Sequence, residues 1–204
     1  MIRVLLADDH KIVREGLRGI LSRTEDIQVA DEAADGDQAL ALVRKTDYDV
    51  AVLDMSMPGL SGIDLVKRLL IEKPKLRLLV LSMHGEEQYA ARVLKAGAAG
   101  YLNKDSAGEL LVGTIRKVAA GGVHIGEAAA AALVNAGAGG HRDLSDREFE
   151  VLRLLVEGKS PGDIADQLHL SVKTVSTHKT RILEKLNLRT TADLIRYALE
   201  NKLF

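Results

Sequence analysis

Val4-Leu5-Leu6-Ala7-Asp8-Asp9 and Val50-Ala51-Val52-Leu53-Asp54 repeat one pattern, a four-residue apolar run closed by carboxylates. A short unbroken apolar run of this kind reads as a strand buried on both faces, as in parallel sheets. Parallel strands deliver their ends to one edge, so Asp8, Asp9 and Asp54 emerge side by side. Three carboxylates crowded there repel one another unless a divalent cation sits among them. One of them can then serve as a nucleophile toward phosphorus. A plainer alternative is that the aspartate pair only caps the following helix.

Outward from these two runs the pattern continues to about residue 120. Apolar runs recur at residues 27–30, 76–81 and 99–102, separated by amphipathic stretches. In the first stretch Ile12, Val13, Leu17, Ile20 and Leu21 have the spacing of one helix face. Five strands alternating with helices predict parallel pairing through right-handed crossovers, hence a doubly wound α/β domain over residues 1–120. In such sheets the ligand site lies beyond the carboxyl ends of the strands, at the switch point, where the acids fall. Residues 121–142 break the rhythm with Gly121-Gly122 and alanine and glycine runs, predicting a short Ala-rich helix at most and a flexible linker.

Residues 143–204 read as a small all-α domain of four helices. Ser145 with Glu148 forms a capping box and Leu144 with Phe149 a hydrophobic staple, so a helix starts at Asp146 and stops near Gly158. Ser160 caps a second, with Pro161 in its first position and Asp163 in its first turn. Ser171 caps a third after a tight turn, and a fourth begins near Thr190 or Thr191. Short helices joined by tight turns predict a helix-turn-helix module. On the third, Val175, Ile182 and Leu186 line one face, with Leu183 at its border, while Lys173, Thr177, Thr180 and Glu184 point away, flanked by Ser176 and Arg181. If this is a recognition helix, Ser176, Thr177 and Thr180 meet base edges, and Lys173, Lys179 and Arg181 meet bases or phosphates. An ordinary amphipathic helix with a solvated face is the alternative. His178 beside the apolar face is a structural or phosphate-contacting residue.

Composition narrows the options. The chain has 204 residues, 47% hydrophobic and 28% charged, enough for two cores built on Leu, Val, Ile and Ala, since aromatics are 3% and Trp is absent. Without cysteine there is neither a disulfide framework nor a thiolate metal site or nucleophile. No apolar stretch approaches the roughly 18 residues of a membrane span, and no signal-peptide pattern opens the chain, so a cytoplasmic protein with no membrane partner is expected. Net charge is −1, yet Lys173, Lys179, Arg181, Lys185 and Arg189 face a single acid, Glu184, between 173 and 189. A local basic patch on a neutral module suits docking on phosphates.

The motifs Ala7-Asp8-Asp9-His10, Asp54 through Gly62 with its Met57-Pro58-Gly59 core, Ser82, and Tyr101-Leu102-Asn103-Lys104 resemble the receiver domain of bacterial response regulators. Leu144-Ser145-Asp146-Arg147-Glu148 and Thr174-Val175-Ser176-Thr177-His178 resemble the LuxR-type DNA-binding domain; together the likeness is to the NarL/FixJ class. The resemblance implies a DNA-binding transcriptional regulator whose Asp54 accepts a phosphoryl group from a sensor histidine kinase. Asp8, Asp9, Asp54 and the backbone carbonyl of Ser56 would hold Mg²⁺. Lys104 would pair with a phosphoryl oxygen, Ser82 would donate its hydroxyl to another, and Tyr101 would swing into the space vacated. Ser56 and His84 occupy positions that shape water access to the aspartyl phosphate. Asp105 stands where many receivers carry a proline after the lysine. The resemblance also implies a homodimer on double-stranded DNA, joined through the last helix at Leu194, Ile195, Tyr197 and Ala198, residues that plain core packing explains as well. An aspartate-nucleophile phosphatase would need a second carboxylate where Ser56 stands, and no phosphate-binding GxxxxGK loop is present, so the site reads as a switch rather than a turnover enzyme. The alternative of another class is a phosphorylation-gated interaction module that binds no DNA.

Overall fold

The computed structural model describes residues 1–204 apart from 59, 61, 83–86, 127–139, 202 and 204, and apart from the side chains of 87, 88, 140 and 142. It forms two compact units, Met1–Ala130 and Ala131–Phe204. In the first, strands β1 (Ile2–Ala7), β2 (Ile27–Ala33), β3 (Val50–Asp54), β4 (Arg77–Ser82) and β5 (Gly100–Asn103) alternate with helices α1 (Lys11–Leu21), α2 (Gly36–Lys45), α3 (Gly62–Glu72), α4 (Glu87–Lys95) and α5 (Ala107–Ala119). All pairs are parallel, in the order β2-β1-β3-β4-β5. The chain steps from β1 to β2 on one side and to β3 on the other, so the switch point lies between β1 and β3.

The apolar runs become the central strands because both faces of the sheet are covered. Val4, Leu6, Val52, Leu79 and Leu81 pack with Leu17 and Leu21 of α1 and with Leu111, Ile115 and Val118 of α5. Their alternates Leu5, Leu53, Leu78 and Val80 point the other way and are fully buried too. Each large side chain so buried stabilises the fold by roughly 1.5–3 kcal/mol. β2 runs three residues past its apolar stretch because it is an edge strand: Asp31 accepts the Tyr48 hydroxyl at 2.7 Å and Glu32 pairs with Arg14 and Arg18. Ile12 departs from the expected face of α1, being 84% exposed. At the start of α2, a Cβ on Gly36 would lie 1.6 Å from the Leu60 carbonyl oxygen, so only glycine lets the loop that follows Asp54 close down there.

The second unit holds α6 (Asp146–Val156), α7 (Pro161–Gln167), α8 (Val172–Leu186) and α9 (Thr191–Glu200). The starts fall where the caps place them. Reciprocal capping boxes join Ser145 to Glu148, Ser160 to Asp163 and Thr190 to Asp193. α8 is capped instead by Ser171 with Thr174, hydroxyl to hydroxyl at 2.7 Å and hydroxyl to amide at 3.0 Å. Phe149, Leu152, Ile164, Val175, Ile182 and Leu194 form the core. Asn187, left-handed at φ 55°, ends α8. The predicted Ala-rich helix and most of the predicted linker lie outside the described residues.

Candidate functional site

The parallel register brings the carboxyl ends of four neighbouring strands to one edge. Asp8 directly follows β1 and Asp54 ends β3, and the two are 1% and 2% exposed. Ser82 ends β4, buried, paired in register with Asn103 of β5; Lys104 comes next. Lys104 Nζ lies 2.7 Å from Asp8 Oδ2 and 2.9 Å from Asp54 Oδ2, its side chain 8% exposed. Asp9 is more open, its Oδ1 2.9 Å from His10 Nδ1. The Ser56 amide donates to Asp54 Oδ1 at 3.3 Å. Tyr101 is buried within β5, opposite Val80 of β4. His84 lies outside the described residues.

Burial pushes the Asp54 carboxyl above the ordinary range and the Asp8 charge adds to this, with the Lys104 ammonium pulling the other way. Burial alone would lower Lys104, but Asp8 and Asp54 outweigh it and hold the ammonium above its usual value. One buried cation thus sits between two buried anions, with a third carboxylate at the rim. Asp8 Oδ2, Asp9 Oδ1 and Asp54 Oδ2 are buried atoms whose contacts are the Lys104 ammonium and the His10 ring. Ligand atoms of Asp8, Asp9, His10 and Asp54 all lie within 4.8 Å of one another. Hard oxygens in excess of the local positive charge fit a divalent cation of the Mg²⁺ kind.

Two members of this edge have roles that the sequence did not assign. His10 stands beside both aspartates, its amide donating to Asp8 Oδ1 at 2.8 Å. Arg14 donates to the Asp8 carbonyl and, at 3.3 Å, to Glu32 of β2, fixing the turn that presents the acids. Adjacency to Asp9 was a usable signal for His10. For Arg14 there was none, because its acidic partner is 18 residues away.

In the second unit, α7 and α8 are joined by a tight turn in which His169 takes φ 50° and the Leu170 amide donates to the Ala165 carbonyl at 2.8 Å. Val175, Ile182 and Leu186 of α8 are buried. Lys173, Ser176, Thr177, Thr180 and Arg181 are exposed, while Lys179 and His178 are half-buried. The Ser176, Thr177 and Thr180 hydroxyls donate to the carbonyls of Val172, Lys173 and Ser176 at 2.9, 3.0 and 3.1 Å. Their outward chemistry is therefore oxygen lone pairs and methyl groups. Lys185 does not join the basic face; it pairs with Glu148 at 2.7 Å and ties α8 to α6. On α9, Leu194 and Ala198 are buried in the core of the unit, and the Tyr197 hydroxyl lies 3.1 Å from His141 Nδ1. Leu194 and Ala198 pack within the chain, because a three-turn helix spends one face on its own core, while Tyr197 is half-buried. The outward apolar side chains are Ile195, half-buried, and Leu199, 63% exposed.

Among the described residues no helix is long and apolar enough to cross a membrane. Residues 4–116 match the response regulator receiver domain, and residues 142–198 match the family described as bacterial regulatory proteins, luxR family. The chain is 37% identical to the oxygen regulatory protein NreC of Staphylococcus carnosus, over 99% of both chains. It is 34% identical to the response regulator UvrY of Escherichia coli, over 100% of this chain and 96% of the relative. A structure of RcsB from Salmonella enterica serovar Typhimurium, bound to the promoter rprA in the presence of the phosphomimetic BeF3-, superposes with a TM-score of 0.72 at 31% identity, covering 96% of this chain and 97% of that one. The likeness runs nearly end to end and takes in both the acidic sheet edge and the helix-turn-helix. The chain therefore belongs to the response regulators of the NarL/FixJ class, which join a receiver domain to a LuxR-type DNA-binding domain.

Proposed function

We propose that Asp54 accepts a phosphoryl group from the phosphohistidine of a sensor histidine kinase, and that the modified protein binds promoter DNA as a homodimer in the cytoplasm. The observation that carries the reading is the Asp54 carboxylate, buried at a strand end with Asp8 and Lys104 packed against it. Asp8, Asp9, Asp54 and the Ser56 carbonyl would hold Mg²⁺, which when bound neutralises the crowded carboxylates and the phosphoryl oxygens. An Asp54 oxygen attacks phosphorus in line as the bond to the donor nitrogen breaks, a reaction that needs alignment and charge neutralisation more than covalent help. Lys104 moves from its carboxylate partners to a phosphoryl oxygen. Ser82 donates to another oxygen, and Tyr101 follows inward, a local charge event that biases a two-state element.

On DNA, Ser176, Thr177 and Thr180 present lone pairs and methyls to the major groove, suited to amino groups of adenine or cytosine and to thymine methyls. Lys173, Lys179 and Arg181 take phosphates or base edges, and the outward Ile195 and Leu199 of α9 are the apolar surface left for a second copy. RcsB has been seen in complex with DNA, which supports this assignment of α8.

The first test is intact mass after incubation with Mg²⁺ and acetyl phosphate. Wild type gains one phosphoryl group and Asp54→Asn gains none; an adduct on the variant removes Asp54 from the role. Lys179→Ala and Arg181→Ala should each weaken duplex binding and reduce the slope of log K against log salt by about 0.9. An unchanged slope excludes that side chain from phosphate contact.

A further inference from the structure

β5 is an edge strand, and the chain that leaves α5 covers it. After α5 it turns at Gly121-Gly122 and lays His124 alongside Gly100 as a one-residue parallel bridge. The His124 amide donates to the Ala99 carbonyl at 2.9 Å, and the Tyr101 amide donates to the His124 carbonyl at 3.1 Å. A Cβ on Gly100 would lie 2.9 Å from Leu79 Cδ1 and 3.3 Å from His124 Cβ, so glycine is what allows the approach. The turn is clamped separately by Arg77, whose guanidinium donates to the carbonyls of Val118, Gly121 and Gly122 at 3.1, 3.2 and 2.8 Å.

These contacts involve the two strands that carry the switch residues. Arg77 opens β4 and Ser82 closes it; Tyr101 lies in β5. Any shift of β4 or β5 at the acidic edge is thus felt by the segment that, in sequence, leads on to the second unit. We propose that the His124 bridge and its Arg77 clamp are the joint through which the state of Asp54 reaches the DNA-binding unit, an inference that rests on the function proposed above. Movement of Tyr101 reorients or releases the bridge, and so changes the point and direction from which the following chain departs. His124 and Arg77 are positioning residues; neither is among the residues of the acidic edge or of α8.

The test uses the full chain. His124→Pro removes the amide that donates to Ala99, and Arg77→Gln removes the clamp while keeping most of the stem. For each, three quantities are compared with wild type: phosphoryl adduct yield with Mg²⁺ and acetyl phosphate, thermal midpoint, and affinity for a duplex selected from a random-sequence pool by phosphorylated wild type. Wild type should bind tighter when phosphorylated by about tenfold, within the usual range of such couplings. In both variants the adduct forms as in wild type but that ratio falls close to one. Hydrogen exchange on wild type should show the Tyr101 and His124 amides changing protection together on phosphorylation. A ratio preserved in Arg77→Gln at wild-type adduct yield, or a Tyr101 amide that changes without His124, overturns the joint. Failure of wild type itself to take up phosphate would instead sink the phosphorylation reading.

Discussion

Lys104 shows how much one side chain can hold at this edge. Its ammonium separates two carboxylates that are 1% and 2% exposed, and among the described residues it alone forms an ion pair with both. Replacing it with Met leaves a buried like-charge pair, a change that costs about 3–5 kcal/mol. Urea unfolding of Lys104→Met in EDTA should show a loss of that order, most of it recovered with saturating Mg²⁺. A variant as stable as wild type without the cation would mean that the carboxylates are not ionised together. This triad was legible only through family resemblance. Chemistry at the sequence level placed the aspartates on one edge, but no local signal ties residue 104 to residue 8 across four of the five strands.

At the scale of elements, what is local was legible and what is tertiary was not. Helix starts in the second unit follow their caps because a cap closes within four residues. The polar half of β2 and the exposure of Ile12 depend on neighbours far away in sequence, so hydrophobic pattern alone missed them. Glu148 belongs to both classes: it completes the Ser145 cap and it also receives Lys185 from α8 at 2.7 Å. Burial would raise its carboxyl, but Lys185 and the Ser145 amide and hydroxyl outweigh this and hold it below the ordinary 4.5. A folded-state value below the unfolded one stabilises the fold above pH 4.5 and ceases to do so as pH falls through the lowered value. The thermal midpoint of the second unit should therefore fall on acidification below that point, and Glu148→Gln should flatten this part of the profile. An unchanged profile would mean that the pair contributes nothing to the acid limb.

For the whole molecule, two units with separate cores make folding and assembly separable. Leu199 is 63% exposed, so Leu199→Arg should leave the unfolding free energy within about 0.5 kcal/mol of wild type. On a duplex with two half-sites the same variant should bind more weakly, while binding to a single half-site stays as in wild type. Equal losses on both would place Leu199 outside any contact between copies. The caps of the second unit carry a last consequence. Three of the four described α-helices begin with an acid that faces their own amide dipoles; α8 has Thr174 in that position and no acid in its first turn. The positive end of the peptide dipole is thus offset within the chain on those three helices and left uncancelled on α8, the helix proposed above to meet nucleic acid, where a phosphate would supply the missing negative charge.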